Sequence, residues 1–401
     1  MFKRNISEKL TLLSQQYPVL TLTGPRQSGK TTLCRHLFPD MPYVTLEDPD
    51  QRNRALSDPR SFLGQFSEGA VLDEIQRVPE LLSYIQGIVD THKKRTGLFV
   101  LTGSAQFELM SSLTQSLAGR TALATVLPFA LDEVFRLGET RNDDNRLPLP
   151  PLSALMYQGM YPRLYDLGLN PTEMYKFYFA TYIERDVRQL LGVRDLLLFE
   201  QFVRLCAARS GQILNLKSLG EDCGVSHNTA RDWVSVLEAS YIIFRALPRN
   251  QNINKRLTKS PKLYFFDVGL AAYLIGIENP RQIETHPLRG ALFETLIASE
   301  FHKARANLVK DPALFFLRDS AGKEVDILAE TKEGVAAIEC KSGATFSNDM
   351  LKGLTFYRGL DPAPKIKELV FYGGDSSFEH QGVSVRRVAD LPEVAKELFN
   401  S

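Results

Sequence analysis

Residues 23–32 read TGPRQSGKTT. Gly24 is followed by four spacers and then by Gly29, Lys30 and Thr31, the spacing G-x-x-x-x-G-K-[ST]. PVLTLTG (18–24), just before the loop, is a short apolar run that reads as a strand; TTLCRHLF (31–38), just after it, reads as a helix. A glycine-rich loop between strand and helix is the context in which this spacing holds phosphate groups. The glycines let backbone N–H groups close around an anion. Lys30 brings a compact positive charge to terminal phosphates, and Thr31 offers a hydroxyl to Mg²⁺.

Further apolar runs follow at intervals: YVTLE (43–47), GAVLDEI (69–75) and GLFVLTGS (97–104), with longer polar–apolar stretches between them. Strands alternating with helices predict an α/β fold with a parallel sheet covered on both faces. AVLDE (70–74) ends in two carboxylates. Asp73, at a strand end, is placed to organise a magnesium shell, and Glu74 to polarise an attacking water. FVLTGS (99–104) ends in small polar residues, and either Thr102 or Ser104 would sense a terminal phosphate from the neighbouring strand. The expected nucleotide-binding set is therefore Gly24, Gly29, Lys30, Thr31, Thr32, Asp73, Thr102 and Ser104, with ATP and Mg²⁺ as cofactors.

GPRQSGKTT, VLDEIQ, LTGS and LAGRTALATVLPF together resemble the bacterial and archaeal AAA+ ATPases with a GPRQ-type P-loop. Members of that family pair the ATPase with a C-terminal region of unknown function, which GMYPRLYD (159–166) and YIERDVRQLLGV (182–193) also resemble. The resemblance implies assembly into a ring, with a hexamer the expected size. It also implies a catalytic role for Arg120, which lies between a helix and the next strand. In AAA+ ATPases that position carries the arginine that reaches into the neighbouring subunit's site and stabilises transition-state charge.

GETRNDDNRLPLPP (138–151) is charged and then proline-rich, marking a first boundary; a second falls near 277–290. The expected domains are 1–137, an AAA+ P-loop ATPase; 138–285, helical and then winged-helix; and 286–401, α/β and nuclease-like. In the middle domain, LNLKSLGEDCGV reads as helix and turn, and SHNTARDWVSVLEAS (226–240) as a second helix opened by Ser226. Two strand candidates, YIIFRALPRN and PKLYFFD, follow with a basic loop between them, so the order resembles a winged helix-turn-helix. Ala230, Trp233 and Leu237 share one face by 3.6 periodicity. His227, Asn228 and Arg231 fall elsewhere, as groove-facing residues would, while Arg249, Lys255, Arg256 and Lys259 would touch phosphates from the wing.

The last domain carries a helix with Glu294 in RGALFETLIASEFHK (289–303), a strand with Asp326 in KEVDILAE (323–330), and a strand ending in Glu339, Cys340 and Lys341. Helix-Glu, strand-Asp and strand Glu-x-Lys, in that order, resemble the PD-(D/E)XK nuclease fold. Alternation puts Glu339 and Lys341 on one side of their strand. Glu294, Asp326 and Glu339 would hold Mg²⁺ or Mn²⁺, and Lys341 would orient or activate a water. A silent nuclease fold, or a structural ion pair at Lys341, uses the same residues.

Bulk properties narrow the function classes. The 401 residues are 44% hydrophobic and 24% charged, enough for real cores. A formal net charge of +1 supplies no global basic field, so any nucleic acid must be held by a local patch. Four scattered cysteines suggest neither a zinc site nor a redox pair. The opening MFKRNISEKL lacks a signal-peptide apolar run, and the expected location is cytoplasmic. Two readings follow: an oligomeric ATP-driven machine acting on DNA, with branched or repair intermediates a natural substrate class, or a nucleotide-switched regulator that binds DNA or protein. A protein remodeller is a weaker third, since no substrate-threading aromatic loop is evident.

Overall fold

The computed structural model describes residues 2–92, 94–103, 116–139, 150–182, 195–249, 259–360 and 365–400. It divides into two units: residues 1–129 with 239–241 and 306–310, and the remainder.

In the first unit, strands β1 (Val19–Thr23), β2 (Tyr43–Thr45), β3 (Ala70–Asp73), β4 (Phe99–Thr102) and β5 (Thr121–Thr125) form one sheet in the order β2-β3-β4-β1-β5. Every pairing is parallel. The apolar runs supply both faces. Val19, Leu72, Phe99 and Leu101 enter one core, which includes Leu81, Leu82, Ile85 and Val89 of helix α2 (Leu81–Thr91). Leu20, Leu22, Val71 and Val100 enter the other, which includes Leu33 and Cys34 of helix α1 (Lys30–Leu37). Near-continuous apolar strands covered on both sides are what a parallel sheet requires. This is the α/β parallel sheet the sequence predicts, with β4 inserted between the strand before the P-loop and the strand carrying Asp73.

The second unit holds a nine-stranded mixed sheet. Its strands are β6 (Gln212–Ile213), β7 (Ile243–Pro248), β8 (Lys262–Phe265), β9 (Leu314–Arg318), β10 (Glu324–Glu330), β11 (Val335–Lys341), β12 (Lys365–Tyr372), β13 (Phe378–His380) and β14 (Val383–Arg387), in the order β13-β14-β12-β11-β10-β9-β7-β8-β6. β7 pairs parallel with β9, Leu247 opposite Phe315. The hairpin of β7 and β8 is thus continuous with the strands carrying Asp326 and Glu339. Helices α3 (Leu196–Ala208), α4 (Leu216–Cys223) and α5 (His227–Ala239) precede β7. Helix α6 (Arg289–Asn307) buries Phe293, Leu296, Ile297 and Phe301, with the Phe301 ring 6.0 Å from that of Phe371 on β12. Helix α7 (Lys352–Arg358) buries Leu354 and Tyr357 in a core with Val325, Ala337 and Val370. Among the described residues no helix is long and apolar enough to cross a membrane.

Candidate functional sites

The first site forms where β1 ends. Gly24 takes φ 138°, and a Cβ there would lie 2.2 Å from the carbonyl oxygen of Val126, so only glycine lets the loop leave the sheet so close to the β5 chain. Gly29, at φ 90°, turns the chain into α1, whose first residues are Lys30, Thr31 and Thr32. The Lys30 ammonium donates to the carbonyls of Gly24 (2.8 Å) and Pro25 (2.7 Å). Burial lowers its pKa to about 8, against the opposing pull of Glu74 and Asp73.

Asp73 gathers three hydroxyls. Thr31 donates to one carboxylate oxygen at 3.1 Å and Tyr43 to the same oxygen at 2.5 Å, while Thr102 donates to the other. The insertion of β4 beside β3 is what brings Thr102 there. Glu74 follows in a left-handed conformation, φ 59°, with its carboxylate held by the Gln76 amide and its backbone N–H 3.4 Å from the Thr102 hydroxyl. Tyr43 and Gln76 are site residues the sequence reading missed. Tyr43 lies under the Arg35 guanidinium, 3.9 Å from its ring centre. Ser104 lies outside the described residues.

Arg120 stands at the far end of the same sheet. Val19, at the start of β1, pairs with Thr121, whereas the P-loop leaves the other end of β1. At about 3.3 Å per residue, the length of β1 separates them by roughly 13 Å along the strand. Arg120 makes a two-pronged ion pair with Asp90 of α2, at 2.7 and 2.9 Å.

The second site lies in the nine-stranded sheet. β10 bulges between Val325 and Leu328, re-aiming Asp326. The Asp326 carboxylate accepts from the Cys340 backbone N–H at 2.8 Å and from the Lys341 ammonium at 3.2 Å. Lys341 also reaches Glu339 at 2.6 Å. The other Glu339 oxygen, Oε1, is buried without a hydrogen-bond partner, and Gly353 of α7 makes room for it: a Cβ there would fall 1.9 Å from that atom.

Glu294 faces the same cluster from α6, but its Oε1 already accepts from Lys262 (2.7 Å) and Tyr264 (2.6 Å), both on β8. Lys262 also contacts Glu324, which Arg318 approaches to 3.1 Å. Burial raises Glu294 and Glu339 above the ordinary carboxylate range. Burial alone would lower Lys341, but Asp326 and Glu339 more than offset it and its pKa ends above the ordinary value. Lys262, Tyr264, Glu324 and Arg318 are missing from the sequence reading. Its available signal was a lysine inside the apolar run KLYFF, which needs a buried counter-charge.

On α5 the buried face is Ala230, Trp233, Val234, Val236 and Leu237, with Trp233 edge-on to Phe199 and Phe202 at 5.1 Å. His227, Asn228 and Arg231 are exposed on the outside. Ser226 caps the helix, accepting the Thr229 N–H at 3.1 Å. Lys255 and Arg256 lie outside the described residues. Arg249 does not face solvent as a phosphate contact would; its side chain is 14% exposed and pairs with Glu330 at 2.8 Å.

A parallel five-stranded sheet with a glycine-rich loop at the end of β1 and a hydroxyl-ringed aspartate beside it defines a P-loop nucleotide-binding unit. Residues 16–135 match the family model of an AAA domain. Residues 150–281 and 289–393 match two domains of unknown function, DUF8612 and DUF4143. An uncharacterized protein of Mycobacterium tuberculosis is 29% identical over 348 residues, covering 86% of this chain and 74% of its own; its Mycobacterium bovis counterpart gives the same figures. Among solved structures, a Walker-type ATPase of Pyrococcus abyssi aligns with a TM-score of 0.47 and 16% identity, over 68% of this chain and 96% of that one. AMPPCP-bound DnaA from Aquifex aeolicus aligns with a TM-score of 0.30 and 14% identity, over 58% and 85%.

Proposed function

We propose that the chain binds and hydrolyses ATP in its first unit and uses that cycle to control an assembly whose second unit engages DNA. The observation that carries the ATPase reading is the Asp73 carboxylate, ringed by Thr31, Tyr43 and Thr102 beside Lys30. The hard oxygens of Thr31 and Asp73 suit Mg²⁺, which would neutralise charge between the β- and γ-phosphates. Lys30 leaves its loop carbonyls to meet the phosphates. Glu74 accepts a proton from the attacking water while Gln76 limits where its carboxylate points, and Thr102 fixes Asp73. Arg120 acts in a neighbouring copy's site, which its place at the far end of β1 supports.

The exposed polar face of α5, set before a β-hairpin, supports a winged-helix contact with DNA through His227, Asn228 and Arg231. Asp326, Glu339 and Lys341 support a PD-(D/E)XK-like site. The Asp326 and Glu339 carboxylates, one Glu339 oxygen of which has no hydrogen-bond partner, suit a hard divalent ion, which would polarise a phosphodiester.

A second reading, a nucleotide-switched binding protein with a silent nuclease fold, is favoured by one observation: lysines already bridge the carboxylates in pairs. The two separate on incubation of branched and linear DNA with Mg²⁺ or Mn²⁺. The nuclease reading expects cleavage that Lys341→Ala removes. Intact DNA in both metals, with affinity that still depends on nucleotide, supports the switch. DNA affinity indifferent to nucleotide, with no cleavage, would sink both.

A further inference from the structure

The carboxylates of the second site are held by two ammonium groups with different freedom. Oxygens of Glu294, Glu324 and Asp326 lie within 4.8 Å of one another, close enough for one metal ion to touch all three. Lys262 already occupies that space. Its Nζ is 2.7 Å from Glu294 and in contact with Glu324, and its side chain is 1% exposed. A divalent ion held by those oxygens would stand about 2.0–2.6 Å from each, so it and the ammonium cannot share the position. Lys262 is the first residue of β8, buried, and shares the Glu294 oxygen with Tyr264 two residues on.

Lys341 differs. It bridges Asp326 and Glu339 at 3.2 and 2.6 Å, so a single atom reaches both carboxylates. Its side chain is 34% exposed, so it can swing toward water. Glu339 uses one oxygen for Lys341 and keeps the other buried beside Gly353 without a hydrogen-bond partner.

We propose that Lys262 is a resident cation that keeps Glu294 and Glu324 out of metal coordination, leaving one divalent-cation position, at Asp326 and Glu339. Glu294 is then a partner of the lysine, not a metal ligand, and Lys262 is a positioning residue contributed by the hairpin strand β8. The inference rests on reading the cluster as a metal site, and the test separates the two.

The test counts Mn²⁺ by electron paramagnetic resonance in the full chain carrying Asp73→Asn, without nucleotide, so that the first unit's metal does not contribute. One Mn²⁺ per chain is expected, weakened at least 30-fold by Asp326→Asn or Glu339→Gln and changed less than threefold by Glu294→Gln. Lys262→Met should tighten Mn²⁺ at least tenfold or admit a second ion, its folding checked by circular dichroism. Glu294→Gln, its folding checked in the same way because it leaves Lys262 one carboxylate fewer, decides the matter if Lys262→Met fails to fold. Loss of Mn²⁺ in Glu294→Gln to the extent seen in Asp326→Asn overturns the proposal and leaves the metal reading intact. No Mn²⁺ bound by the parent chain overturns the metal reading and the proposal with it.

Discussion

Glu74 and Gln76 show how little of a reactive group's setting is contained in its own motif. The carboxylate sits one residue past β3 in a left-handed turn, and the amide two residues on restrains it. Replacing Glu74 by Gln should leave ATP affinity within about threefold and reduce hydrolysis by about 100-fold or more, because the proton acceptor is lost while the phosphate contacts remain; isothermal titration and a phosphate-release assay read the two separately. His302 offers a pH test in the second unit. Its ring lies 4.6 Å from Phe244 and 4.8 Å from Phe266, and burial, aided by Lys303 and Arg305, lowers its pKa to about 3. The unfolded chain therefore takes up a proton on this residue near pH 6.5 and the folded chain does not. Stability is unaffected above pH 6.5 and falls below it, by roughly 3 kcal/mol on going to pH 4. His302→Phe should flatten that part of the melting-temperature profile; an unchanged slope would mean the acid sensitivity arises elsewhere. The P-loop residues are legible in sequence because their contacts are local: Lys30 bonds carbonyls five and six residues away. Lys262 meets Glu294 across 32 residues, a contact between strand β8 and helix α6 that no local pattern announces.

At the scale of elements, periodicity carries the reading a long way. The apolar stripe of α5 and its serine cap follow directly from SHNTARDWVSVLEAS, as does the solvent position of His227, Asn228 and Arg231. Ser226→Ala should lower stability by about 1 kcal/mol in a denaturant titration of the full chain, the usual effect of losing an N-cap. Arg231→Ala should weaken DNA binding several-fold and reduce the salt slope by about one if the arginine meets a phosphate. An unchanged slope with unchanged affinity would point to a helix used for packing alone. Element types are legible for β1 to β5 because each strand is an apolar run between helical stretches. Element neighbours are less so. YIIFRALPRN reads correctly as a strand, yet nothing in it reveals that β7 pairs parallel with β9, the pairing that joins the hairpin to the strands bearing Asp326 and Glu339. Parallel pairings over long separations are set by tertiary burial, not by local preference.

For the whole molecule, the position of Arg120 makes a claim about assembly. An arginine at the opposite end of β1 from its own P-loop serves a neighbouring copy or none. Arg120→Ala should keep ATP binding and lose hydrolysis by about 100-fold or more, and mixing it with Lys30→Ala should restore part of the activity, since mixed neighbours bring an intact arginine to an intact loop. No recovery on mixing would confine Arg120 to its ion pair with Asp90. Coupling to DNA is decided by the steady-state rate of ATP hydrolysis of the full chain without DNA and with duplex, single-stranded and four-way-junction DNA, run in parallel with His227→Ala/Arg231→Ala. A DNA-coupled ATPase is stimulated by at least one DNA form, and the double variant loses that stimulation while keeping its basal rate. A rate indifferent to every DNA form, equal in the two proteins, would contradict that coupling.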